Sequence, residues 1–175
     1  MRMGGEEMSF LSKLFGKKEE EPVKERTVFS IQVGDIVTYD LEDYEVVGSL
    51  TYQNNGYKWY AYQLKSGASS VWLSAEMDDE LELGIYRNVK EKLARPLPEK
   101  LTIDDVTYYR EEHGRAKVSG TGRGSNLNGQ EVEYHDFSNE DETNFLSIEI
   151  WGSEVEVSKG YAIEEYEIKI LAGSK

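Results

Sequence analysis

The chain has no cysteine, three prolines and two histidines in 175 residues. Without thiols there is no disulfide, thiolate zinc site, iron–sulfur cluster or cysteine nucleophile, so stability has to come from packing. His113 and His135 sit in different strand contexts and form no close-spaced ligand pair, which disfavours a zinc hydrolase; no metal and no cofactor are assigned. No apolar run approaches the roughly twenty residues of a membrane-spanning helix, and no charged-apolar-small leader opens the chain. The expected location is therefore the cytoplasm. There is also no Gly-x-Ser-x-Gly elbow or other nucleophile motif, although the members of a Ser-His-Asp triad assemble in space and leave no fixed spacing.

What the chain does have is acid. Its net charge is -14, and residues 1–29 carry six basic and six acidic side chains, so the whole excess belongs to the remainder. Such a field repels phosphate backbones and argues against nucleic acid as a partner. Cations, polyamines and basic protein surfaces are admissible, while solubility alone is the ordinary explanation of the charge.

Tyr, Val, Ile, Trp and Thr recur at strand-like alternation from about Val28 onward, broken by Gly and Asn. The pattern predicts strands over 36–39, 44–52, 57–64, 71–74, 81–87, 106–110, 115–119, 131–137, 145–150, 154–158 and 165–171. Asn54-Asn55-Gly56 is a type I′ hairpin signal, because both central residues need positive φ. Asn88–Ala94 alone has helix-forming composition and is stopped by Pro96 and Pro98; we read it as the connection between two halves.

The halves echo each other. Trp72-Leu73-Ser74-Ala75-Glu76 returns as Phe145-Leu146-Ser147-Ile148-Glu149, Asn55-Gly56 as Asn128-Gly129, Val37-Thr38-Tyr39 as Val106-Thr107-Tyr108, and Gly84-Ile85-Tyr86 as Gly160-Tyr161. The expected fold is all-β: an antiparallel barrel or sandwich from two tandem β-repeats, 28–95 and 96–175, sharing one joint core. A short N-terminal amphipathic helix and charged linker over 1–27 precede it.

In that N-terminal segment Met8, Leu11, Leu14 and Phe15 fall on one helical face with Phe10 beside them, while Lys13, Lys17 and Lys18 lie outside the stripe. This suits contact with an anionic membrane surface, peripheral at the inner face, or with a protein partner. Docking on the chain's own β-body or disorder are the structural alternatives.

Gly120-Thr121-Gly122-Arg123-Gly124 lacks the helix that a phosphate-cradling loop feeds, so it reads as a flexible hairpin extension, with a small anion site at Arg123 as the other reading. Asp78-Asp79-Glu80 and Glu140-Asp141-Glu142 lack calcium-loop spacing and read as exposed turns. Glu76 and Glu149 occupy equivalent repeat positions, so a two-fold can bring two carboxylates to one pocket; as repeat elements they equally read as strand caps. Trp59, Trp72 and Trp151, with the twelve tyrosines, are candidates to line a ligand groove with those glutamates, sheet packing being the default role of such aromatics.

Val33-Gly34-Asp35-Ile36-Val37-Thr38-Tyr39, Tyr44-Glu45-Val46-Val47-Gly48, Trp59-x-x-Tyr62-x-Leu64 and Trp72-Leu73-Ser74-x-Glu76 occur in order, and together they resemble the bacterial family called domain of unknown function 4178. The resemblance spans most of residues 30–171 and brings no activity or catalytic residues with it. It implies a gene context of phage-shock-type membrane-stress proteins and polyamine aminopropyltransferase-like enzymes. The expected role is a non-enzymatic accessory or binding module held at the inner membrane surface or a partner by residues 8–18. The alternative is a binder of, or enzyme on, a small cation such as a polyamine, in a pocket between the repeats.

Overall fold

The computed structural model describes residues 25–173. It contains β1 (Ile36–Tyr39), β2 (Glu42–Asn54), β3 (Tyr57–Ser66), β4 (Ser69–Met77), β5 (Leu81–Val89), β6 (Lys100–Ile103), β7 (Val106–Gly122), β8 (Glu131–Ser138), β9 (Phe145–Trp151), β10 (Glu154–Ile163) and β11 (Ile168–Leu171), with 3-10 turns at Ser125–Leu127 and Glu165–Glu167. The chain is all-β, and no described helix is long and apolar enough to cross a membrane. Eight strands close an antiparallel barrel in the order β2-β3-β4-β5-β10-β9-β8-β7, β7 returning to pair with β2 through Gly48–Gly122 to Gln53–Lys117. Short β1 and β6 pair with the first residues of β2 and β7, and β11 adds to β1.

Local chemistry accounts for the hairpins. Asn55 and Gly56 both have positive φ (50° and 83°), as the type I′ turn requires. Asp40-Leu41 and Asp104-Asp105 make the same kind of turn ahead of β2 and β7, all four residues at φ between 50° and 65°. Asn128-Gly129 differs: Asn128 is extended at φ -60° and ψ 127° and only Gly129 is positive, at 84°, with Gln130 N–H donating to the Leu127 carbonyl. That is a type II turn, and a 3-10 turn precedes it.

Each long strand bends as it enters the barrel. Register shifts fall between Val46 and Gly48 in β2 and between Arg110 and Glu112 in β7. A β-bulge adds one residue and re-aims the side chains beyond it. The strands expected over 106–110 and 115–119 are therefore one strand bulged at Glu111, because Glu112, His113 and Gly114 stay in the ladder. β6 went unforeseen, since four residues leave too short a pattern, and residues 90–98 form an irregular connector without helix.

The apolar interior is divided into three clusters. Val71, Leu73 and Ala75 of β4, with Tyr62, Leu64, Leu83 and Ile85, lie on the outer face of the first half, covered by Val28, Ile31, β1 and β11. Phe137, Leu146, Ile148 and Val157 do the same on the second half, covered by Ile103 of β6 and by Leu93 and Leu97 of the connector. Burying each such side chain contributes about 1.5–3 kcal/mol. Asp35 locks the first cover: its carboxylate accepts Gln32 N–H and Gly173 N–H, each at 2.8 Å, and Arg26 Nε–H at 2.9 Å. This ties the start and the end of the described chain to β1.

Leu50, Tyr52, Val118, Val132, Tyr134 and Trp151 form the third cluster, inside the barrel. Contacts across the ring identify this face as the interior. Tyr52 of β2 donates its hydroxyl to Glu149 of β9 at 2.7 Å, and Trp59 of β3 meets Tyr134 of β8 edge-on at 5.1 Å.

Of the four echoes between the halves, the aromatic-Leu-Ser-x-Glu strands β4 and β9 occupy matching places in the ring. Val37–Tyr39 lies in β1, whereas Val106–Tyr108 opens β7, so those two do not correspond; the two Asn-Gly turns join matching strand pairs, β2–β3 and β7–β8, but differ in turn type. The proposed helix over residues 8–18 lies outside the described residues.

Candidate functional site

Period-two alternation gives every barrel strand a second face, and here that face carries the acid. In β4, Trp72, Ser74 and Glu76 alternate with outward Leu73 and Ala75; in β8, Tyr134 and Asp136 alternate with outward Glu133, His135 and Phe137. The inward face brings together Glu76 and Glu82, paired across β4 and β5, and Glu149 and Glu156, paired across β9 and β10. Asp136 and Glu112, paired across β8 and β7, complete the set. These side chains are half-buried or exposed rather than sealed, so water reaches them inside the barrel.

Their electrostatics follow from partial burial among like charges. Burial, then the charges of Glu112, Glu76 and Glu149, push Asp136 up to about 8. Burial followed by the Glu82 and Glu112 charges takes Glu76 to about 7. Glu149 also reaches about 7, through burial and Glu156, although the Tyr52 hydroxyl pulls the other way. The Trp151 indole N–H, in a residue 8% exposed, sits beside Glu149 and Glu156 and draws both carboxyls down against the effect of burial, although neither is reached at full hydrogen-bond geometry.

Aromatic rings wall the same space. Tyr52 and Trp59 stack at 5.4 Å with planes 4° apart, and Trp59 then meets Tyr134. Tyr86 lies flat against the backbone of β10 at Gly160, where any Cβ would strike the ring. The glycine is therefore what admits the tyrosine into the barrel.

Glu76, Glu149, Trp59, Trp72 and Trp151, singled out in the sequence, all face this interior. Glu76 and Glu149 do not touch; each faces its own cross-strand glutamate, and Asp136 links them by feeling both charges. Sequence reasoning missed Asp136 and Glu112, and although it admitted all twelve tyrosines as groove residues it could not single out Tyr52, Tyr86 and Tyr134. The available signal was β8 itself, where Glu133-Tyr134-His135-Asp136 puts ionisable groups on both faces of one strand. Phe10, Leu11, Lys13, Leu14, Phe15, Lys17 and Lys18 lie outside the described residues.

Two other expectations are corrected. Gly120 and Gly122 are not in a flexible extension but form the seam that closes the barrel: a Cβ on Gly120 would collide with the Gly124 carbonyl, and one on Gly122 would lie 2.5 Å from the Val47 carbonyl oxygen. His113 and His135 lie far apart in sequence, yet they pair across β7 and β8, rings stacked at 5.6 Å. Among the described residues, no three His, Asp or Glu side chains come together closely enough to hold a metal ion.

With this geometry in view, comparison with known proteins is direct. The family model of the domain of unknown function DUF4178 matches residues 32–165, most of the chain. The chain belongs to that family. An uncharacterised protein of Mycobacterium tuberculosis (strain ATCC 25618 / H37Rv) is 29% identical over 144 residues, covering 78% of this chain and 69% of the relative. An uncharacterised protein of Aquifex aeolicus (strain VF5) is 28% identical over 175 residues, covering 92% and 95%. No solved structure matches the chain. The matched range includes both the Asp35 lock and the lumen face of β4.

Proposed function

We propose that this DUF4178 barrel is a binding module whose lumen takes a small organic cation with two or more ammonium groups, of the polyamine class. The observation that carries the proposal is the convergence of Glu76, Glu112, Asp136 and Glu149 with the faces of Trp59, Tyr52 and Tyr134 in one water-accessible interior. Carboxylates spread around a wall suit several separated ammonium groups better than one compact ion, and ring faces attract cations by their quadrupoles. Eight-stranded barrels are wide enough to hold one small ligand. The buried Trp151 N–H beside Glu149 and Glu156 favours their charged forms at that end of the lumen.

Isothermal titration of spermidine into the full-length protein at fixed ionic strength tests this. Saturable binding is expected, weakened about tenfold or more by Glu149→Gln, since losing one close charge is worth roughly 1.4 kcal/mol. Weak, non-saturating heats that are the same for wild type and variant would overturn the proposal.

Two parts of the same reading rest on the sequence. Residues 8–18 attach the barrel to an anionic membrane surface or a protein partner, and liposome co-sedimentation with and without residues 1–24 reads that directly; equal partitioning removes it. The halves descend from one duplicated unit, an inference supported by the matching Asp40-Leu41 and Asp104-Asp105 turns and by the Glu76–Glu82 and Glu149–Glu156 pairs.

A further inference from the structure

The outer face of β7 and β8 carries a second cavity that the lumen does not use. Its volume is about 460 Å³, and the connector closes it with Arg95, Pro96 and Leu97. Arg110, His113, Glu133, His135 and Ile150 complete its lining. In a protein of net charge -14, two guanidinium groups and both of the chain's imidazoles share one cavity.

The polar groups there are incompletely paired. His135 is 7% exposed; its Nε2 lies 2.8 Å from Glu133 Oε2, while Nδ1 is buried and has no partner. A buried polar nitrogen without a partner is destabilising, and a hydrogen bond from a ligand atom would relieve that cost. Arg110 is mostly buried, its side chain 18% exposed, yet its nearest carboxylate is an exposed Glu99 at 3.6 Å, beyond hydrogen-bonding distance. Arg95 reaches Glu133 at only 3.4 Å. Glu133 is itself held below the usual carboxylate range, by the His135 contact first and then, against the opposing effect of burial, by Arg95 and Arg115. It is therefore a fixed anion that orients His135 rather than a free acid facing the cavity.

We infer that this cavity binds the phosphate group of a small phosphorylated metabolite, with Arg110 and Arg95 clamping the oxygens, His113 completing the donor set, His135 Nδ1 accepting from the P–OH of the monoanion because Nε2–H is held by Glu133, and Leu97 and Ile150 packing the organic part. Planar guanidinium groups recognise phosphate by paired N–H donation, and a half-enclosed wall strengthens each charge-assisted bond. The site lies outside the barrel wall, independent of the lumen ligand.

The chain's two histidines make the test selective, because a tag-free full-length protein has imidazole NMR signals from this cavity alone. Inorganic phosphate and phenyl phosphate are titrated at constant ionic strength, with sulfate and benzoate as controls. Saturable shifts of both imidazoles are expected with the two phosphates, phenyl phosphate being the tighter through its ring. Arg95→Gln, at a half-exposed position that folding does not need, should weaken phosphate at least fivefold, and Arg110→Gln should weaken it further. Three results would overturn the inference: unmoved imidazole signals, equal responses to sulfate, or an undiminished response in Arg95→Gln.

Discussion

Asp136 gives the sharpest test of the lumen's electrostatics. Its carboxyl titrates near 3.8 in an unfolded chain and at about 8 in the barrel, because burial and the charges of Glu112, Glu76 and Glu149 oppose its ionisation. The folded state therefore holds a proton that the unfolded state has released, and stability must fall as pH rises from about 4 to about 8. One such group costs about 1.4 kcal/mol per pH unit within that window, hence roughly 3 kcal/mol between pH 5 and pH 7. Glu76 and Glu149, both at about 7, add a slope of the same sign up to their own values. Asp136→Asn removes the largest contribution and relieves its neighbours. Urea unfolding followed by circular dichroism at pH 5, 7 and 8.5 should show wild type losing stability with pH and the variant losing less, so that the variant is the more stable protein at pH 8.5. Parallel pH profiles, or a variant weaker than wild type at pH 8.5, would refute the gathering of Asp136 with like-charged, partly buried acids inside the barrel.

Asp35 has the opposite sign: burial would raise its carboxyl, but Gly173, Gln32 and Arg26 outweigh that and hold it below its ordinary value. Its contribution is fully present above about pH 4 and is lost on acidification; at pH 7, Asp35→Ala should cost about 3–5 kcal/mol in urea unfolding, because it strands Arg26 and two backbone donors. Gly122→Ala should cost at least about 2 kcal/mol and expose the β2–β7 seam to hydrogen exchange, since φ is 61° and the added methyl meets the Val47 carbonyl. Tyr52→Phe removes the one hydroxyl that lowers Glu149, so the Glu149 carboxyl signal in carbon-13 NMR should titrate higher than in wild type.

The strands, the Asn55-Gly56 turn and the connector were legible because they depend on neighbours within a few residues. Alternation marks a strand, and positive φ at two adjacent positions selects Asn-Gly. Partnerships at long range were less readable. His113 and His135 become neighbours only through the β7–β8 register, and the bulge at Glu111 helps set that register. The seam glycines resembled a loop because a close backbone approach leaves the same mark in a sequence as flexibility does.

The amino-acid sequence determined that the chain is all-β, acidic and free of thiol chemistry, and that Glu76 and Glu149 sit at matching places in two similar strands. It did not determine which face of each strand is inside, because period two supplies two faces and says nothing about what covers either. The usual expectation puts Leu73, Ile85 and Ile148 within the barrel. The tertiary structure does the reverse: β1, β11, β6 and the connector cover the apolar face from outside, and ring closure through β2–β7 and β5–β10 turns the carboxylates inward. Those pairings join residues tens of positions apart, and only the closed ring makes a lumen for the acids to share.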